Sequence, residues 1–133
     1  MTGDPWVAEV IDLHVFFARW LGGSADPSEF ARLESALADE FVIIGPHGSV
    51  VARPALIDQL RAAHGVRPGL EIRIDRPEVV VRSGDVIVGT YEEWQRTAVD
   101  EWRGRQSTAV MRDDQGILRW ALVHETWMPD DRP

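Results

Sequence analysis

The chain has 133 residues, of which 44% are apolar and 27% charged, with 14 basic and 22 acidic side chains and a formal charge of −8. That length and balance describe one globular domain over residues 1–133, long enough to bury a core. The acidic balance argues against a nucleic-acid or anionic-membrane partner, and no apolar run reaches the ~20 residues of a membrane span. There is no cysteine, which excludes disulfides, thiolate metal sites and a cysteine nucleophile. All basic residues are Arg, so a Schiff-base or P-loop lysine is excluded as well. The opening residues Met1 to Trp6 carry no basic n-region or cleavage pattern, so the expectation is no signal peptide and a cytoplasmic location.

Taken in chain order, Asp4 followed by Pro5 is a helix start, an N-cap and then proline at the first helical position. Apolar residues at helical spacing follow from Trp6 to Leu21, in one stripe through Val7, Val10, Ile11 and Leu21 and another through Trp6, Leu13, Phe17 and Trp20. So wide an apolar face predicts a helix buried on most sides, ended by Gly22-Gly23. A second helix begins at Asp26-Pro27, with Glu29 in capping-box register and Phe30, Leu33 and Leu37 as its stripe. The run from Phe41 to Ile44, a turn over Gly45-Pro46-His47-Gly48, and Ser49 to Val51 predict a short hairpin. Pro54 opens a third helix with Leu56, Ile57 and Leu60 on one face and Gly65 as its stop.

After Gly69 the apolar period changes from 3.6 to 2. Four strands are predicted: Leu70 to Val81, Val86 to Arg96, Arg105 to Arg112, and Ile117 to Trp127. Ser83-Gly84-Asp85 and Asp113 to Gly116 are hairpin signals, and Thr97 to Gly104 is a longer polar loop. The fold class is therefore α+β, a curved antiparallel sheet wrapped around N-terminal helices as a cone with an interior pocket.

This order, together with Leu37 to Gly48, Ser107 to Arg112 with Gly116 to Trp120, and Val123-His124-Glu125-Thr126-Trp127, resembles the nuclear-transport-factor-2-like superfamily, the cystatin-like α+β cone. The chain is similar to SnoaL-like members of unknown function. The superfamily includes ketosteroid isomerases, dehydratases, epoxide hydrolases and polyketide cyclases beside non-catalytic association and binding domains. None of those enzymes' catalytic sets matches this chain residue by residue. The resemblance thus implies a cone, an apolar interior pocket and a homodimer, and no catalytic residue.

The candidate residues come from strand alternation. Tyr91, Glu93 and Gln95 share one face of their strand. In the last strand Trp120, Leu122, His124 and Thr126 share a bulky face expected to meet the helices, which would place His124 in the cavity. If Asp113 opposes Ile117, Arg105 lies opposite Glu125 and Gln106 opposite His124; a one-residue change in the loop sets Arg105 beside His124 instead. The sequence leaves both registers open. His124 titrates near neutrality and is the first acid–base candidate, with Glu93 as partner carboxylate and Tyr91 as hydroxyl donor. The structural alternatives are a core-edge histidine, an Arg-paired carboxylate and a packed aromatic. Arg105 and Glu125 look like a cross-strand ion pair.

The expected pocket residues are His14, Phe17, Trp20, Tyr91, Glu93, Trp120 and His124, with His14 otherwise a satisfied core histidine and Trp20 covering one end. The histidines show no metal-ligand spacing, so neither a metal nor a cofactor is expected. Trp94, Trp102 and Trp127 are expected on the outer sheet face or a loop, where a homodimer would bury them. Three functions compete: a domain binding a small hydrophobic or aromatic molecule, a cofactor-independent acid–base lyase, isomerase or cyclase, and a non-catalytic dimerisation module.

Overall fold

The computed structural model describes residues 3–129. Helix α1 runs Pro5–Gly22, a short 3-10 helix Pro27–Phe30 leads into α2 at Ala31–Ala36, and α3 spans Arg53–Ala62. The strands are β1 Leu37–Ile44, β2 Val50–Ala52, β3 Glu71–Ser83, β4 Val86–Arg96, β5 Arg103–Asp114 and β6 Ile117–Trp127. The α+β expectation is borne out: N-terminal helices pack on one curved, unclosed sheet of order β2-β1-β6-β5-β4-β3.

Local chemistry starts α1 and the 3-10 helix, and stops α1, where the sequence says. By contrast, α2 ends at Ala36, so that Leu37 opens β1 instead of closing a helical stripe, and α3 ends at Ala62, short of Gly65. The Asp4 carboxylate accepts from the Trp6 backbone N–H at 2.8 Å, and the Gly23 N–H closes α1 onto the Arg19 carbonyl at 3.0 Å. The capping box of Asp26 and Glu29 is present. The apolar face of α1 is narrower than its composition suggests. Trp6, Val10, Leu13, His14, Phe16 and Trp20 are buried, while Ile11 and Val15 are 42% and 54% exposed. A helix laid across a single sheet face buries one stripe, so the expectation of burial on most sides is corrected.

Two features of the sheet could not be anticipated from local patterns. The β1–β6 pair is parallel, whereas every other pair is antiparallel. The four-strand meander begins at the far edge and walks back, so β6 arrives beside β1 running the same way. The second feature is the β5–β6 register. A two-residue turn at Gln115 and Gly116, with φ of 53° and 90°, sets Asp114 opposite Ile117. A β-bulge then places Met111 opposite Trp120 but Val110 opposite Leu122, leaving Ala121 as the extra residue. Neither expected register holds: Arg105 lies opposite Trp127, Gln106 opposite Thr126 and Thr108 opposite His124.

The core lies between α1, α2 and the sheet and includes Trp6, Val10, Leu33, Phe41, Met111 and Trp120. Trp6 packs directly on β4, where a Cβ added at Gly89 would sit 2.5 Å from its ring. On the other side of the sheet Trp94 lies flat over Gly104 in the same way, at 2.6 Å, and is 1% exposed. The edge strand β3 bends where Arg76 takes a left-handed φ of 51° beside Pro77 and the register with β4 shifts. Among the described residues, no helix is long and apolar enough to cross a membrane.

Candidate functional site

The concave face of the sheet and the helices enclose a cavity of about 220 Å³. Its two walls are chemically distinct. Phe17 and Leu21 of α1, Leu33 of α2, Phe41 and Ile43 of β1, and Leu56 and Leu60 of α3 form an apolar wall. The opposite wall is the inner face of the meander: Tyr91, Glu93 and Gln95 of β4, Arg105 of β5, and Glu125 of β6. Alternation in β4 and β5 explains this set, because Tyr91 opposes Ser107, and Glu93 opposes Arg105.

His14 reaches this polar wall from α1 and is buried. Its Nδ1 lies 2.7 Å from the Val10 carbonyl and its Nε2 lies 3.1 Å from Glu93 Oε1. A carbonyl only accepts, so Nδ1–H donates to Val10. The second contact then also needs a proton, on Nε2 or on Glu93. Burial opposes charge on His14, but the Glu93 carboxylate and its hydrogen bond outweigh that effect and raise the imidazole pKa above its ordinary value. Burial likewise opposes ionisation of Glu93, yet the charges of His14 and then Arg105 hold it at about 2. Both shifts favour the imidazolium–carboxylate form of the pair. Phe17, Tyr91 and Trp120 surround the imidazole edge-on, with ring centroids 5.6, 5.4 and 6.2 Å away.

The network continues toward the cavity mouth. Gln95 donates through Nε2 to Glu93 Oε2, and Arg67 donates through Nη1 to Gln95 Oε1 at 2.6 Å. A second pair lies beside it, Arg105 Nη1 donating to Glu125 Oε1 at 3.1 Å. Burial raises the Glu125 pKa, opposed by Arg105 and reinforced by Glu93. Tyr91 is held well above the ordinary phenol range by burial and by the charges of Glu93 and Glu125, so it stays a neutral hydroxyl. Arg105 Nε and Ser107 Oγ are buried donors without a hydrogen-bond partner among the described residues.

The structure brings five of the expected pocket residues to this cavity: His14, Phe17, Tyr91, Glu93 and Trp120. Two lie elsewhere. Trp20 packs behind the apolar wall, stacked against Phe16, tilted against Phe30 and edge-on to His64, with its Nε1–H donating to the Leu60 carbonyl at 2.7 Å. His124 is exposed on the outer face of β6. The cause is the bulge at Ala121: Trp120 faces inward, the extra residue reverses the alternation, and Val123 and Glu125 then face inward instead of Leu122 and His124. The histidine that meets Glu93 is thus His14, not His124.

The tryptophans also need correcting. Trp94 is on the outer face but already buried by its own chain, with its Nε1–H donating to Glu92 at 3.1 Å. Trp102 and Trp127 line a wider vestibule of about 460 Å³ at the cavity mouth. Sequence reading also missed Arg67, Gln95, Arg105 and Glu125 as cavity residues. The signal for Gln95 and Arg105 was the matching alternation of β4 and β5 inner faces; Glu125 faces inward only through the bulge at Ala121, and Arg67 sits in a loop with no periodic signal.

Comparison with known proteins places this geometry. The family model for the sucrose-6-phosphate phosphohydrolase C-terminal region matches residues 7–129. A curated Arabidopsis thaliana protein named "Probable sucrose-phosphatase 2" is 29% identical over 126 residues, which is 90% of this chain but 29% of that protein. A solved nuclear-transport-factor-2-like protein of unknown function from Pseudomonas aeruginosa is 32% identical, with a TM-score of 0.86 over 91% of this chain and 96% of that one. A Caulobacter vibrioides protein with a cystatin-like fold, 13% identical and TM-score 0.66 over 93% of this chain and 91% of that one, shares the fold alone. Continuous sequence similarity on a common cone makes the chain a nuclear-transport-factor-2-like domain that belongs to the sucrose-6-phosphate phosphohydrolase C-terminal family.

Proposed function

We propose that this chain is a small-molecule-binding domain whose cavity takes a compact ligand with an apolar body and one polar edge. The observation that supports this is the division of the cavity into an aliphatic wall and a charged wall whose charges are mutually paired. A ligand ring lies against Phe17, Leu56 and Leu60 while its hydroxyl or carbonyl groups meet Glu93, Gln95 and the Tyr91 hydroxyl. At about 220 Å³ the cavity holds on the order of seven water volumes, which is the size of one substituted ring. The name of the Arabidopsis relative makes a single sugar ring one candidate, although the chain spans only 29% of that protein.

The test is calorimetric titration of benzyl alcohol, cyclohexanol and methyl glucoside. At least one should bind saturably to the wild type and fail to bind Leu56→Trp, which fills the cavity, while circular dichroism shows the variant folded. Binding by none of the three, or equal binding to the filled variant, would overturn the proposal.

A second reading, general acid–base catalysis on the bound ligand, has one observation in its favour: Glu125 is a carboxyl of raised pKa facing the same space as the neutral Tyr91 hydroxyl. A bound carbonyl probe exchanging its α-protons faster with wild type than with Glu125→Gln would favour it. Equal exchange rates would leave binding alone.

A further inference from the structure

The mouth of the cavity has a chemistry of its own. The vestibule shares Arg67, Gln95 and Arg105 with the inner cavity, so the two spaces adjoin across these side chains. Four arginines line it, Arg67, Arg96, Arg103 and Arg105, against two acids, Asp100 and Glu101, in a chain of net charge −8. Tryptophan rings hold three of these guanidinium groups. Arg103 lies 3.7 Å and Arg105 5.2 Å from the Trp127 ring centroid, and Arg96 lies 4.7 Å from that of Trp102. A guanidinium stacked by its face keeps its in-plane N–H donors available for an oxyanion. Arg96 already pairs with Glu71 at 2.8 Å, whereas Arg67 and Arg103 form no ion pair among the described residues. Arg105 keeps a buried Nε–H without an acceptor.

The inner cavity sets the orientation. Its floor already pairs His14 with Glu93 and Arg105 with Glu125, so it offers a ligand anion no free cation. We infer that the ligand carries an oxyanion, a carboxylate or phosphate, which sits in the vestibule among Arg67, Arg103 and Arg105 while its uncharged body enters the inner cavity. This rests on the binding reading above and names the ligand class of the same site.

Benzyl alcohol, phenylacetate and benzyl phosphate, three probes with one ring and different head groups, separate the two claims by calorimetric titration. The two anions should bind about tenfold or more tightly than the alcohol, as charge-assisted bidentate hydrogen bonds predict, and the stronger of the two identifies the head group. Arg103 lines the vestibule and not the inner cavity, so Arg103→Gln should remove about fivefold or more of the anion affinity and leave that of the alcohol unchanged. Arg112→Gln, the same charge change far from the mouth, should alter neither. Binding of the alcohol as tight as that of both anions overturns the oxyanion inference and leaves the cavity reading standing. So does an Arg112→Gln effect equal to that of Arg103→Gln, which would signal only the long-range field. If none of the three binds, the oxyanion inference falls, and the cavity reading falls with it only if cyclohexanol and methyl glucoside fail to bind as well.

Discussion

The two walls of the cavity are built by opposite strategies. The apolar wall comes from helical stripes and the second half of β1, and each of its side chains is stabilised by contact with any apolar neighbour. The polar wall comes from alternate positions of three strands plus one helical histidine, and each of its groups depends on one particular partner. The difference teaches that chemical capacity and structural risk sit on the same surface. The buried His14, Glu93 and Glu125 escape being left unpaired only because His14 meets Glu93 and the half-buried Arg105 meets Glu125.

The largest effect should come from breaking the polar wall. His14→Leu strands a buried carboxylate at Glu93 and should cost roughly 3–5 kcal/mol in urea denaturation. Adding Glu93→Leu should restore most of that loss; a single variant as stable as wild type would contradict the ion pair. Leu33→Ala, on the apolar wall, should cost about 2–4 kcal/mol, since only transfer and cavity terms are lost. No second-site change at Leu33's neighbours should be needed for the variant to stay folded.

A pH titration sharpens the contrast, because only the polar wall titrates. Glu93 falls from an ordinary 4.5 to about 2, so its contribution is present above 4.5 and is lost as pH drops toward 2. His14 is raised above 6.5, so its contribution is present below 6.5 and is lost as pH rises through the folded value. Glu125, also raised, adds to the loss on the alkaline side of 4.5. Thermal melts should show a stability maximum in the acidic range, falling on both sides, and His14→Leu/Glu93→Leu should flatten it. A maximum unchanged in the double variant would assign the dependence to other groups. The smallest effect belongs to the same chemistry in open water. Arg112→Gln removes the ion pair with Glu40, exposed on both sides, and should leave the melting temperature unchanged.

Much of the fold was legible because its signals are local. Asp4-Pro5 and Asp26-Pro27 start helices, and the two predicted tight turns fall where β3 meets β4 and β5 meets β6. The predicted bounds of β4 and β6 coincide with the observed ones. The site was legible in part. Tyr91 and Glu93 were found because β4 has no irregularity against β5, so period-2 alternation holds along it. His124 was misplaced because one extra residue at Ala121 reverses every side chain beyond it, and an alanine among apolar neighbours carries no mark of a bulge. Trp94, Trp102 and Trp127 were assigned together by residue type, yet one is buried by its own chain and two line the mouth.

By itself the sequence determined the element types, their order and the α+β cone, since caps, turns and periodicity act over a few residues. The tertiary structure alone decided which histidine meets Glu93, which face of β6 closes the cavity, and that four arginines converge at its mouth. Those outcomes depend on register and strand order, where contacts between residues far apart in the chain compete and a single bulge changes the winner.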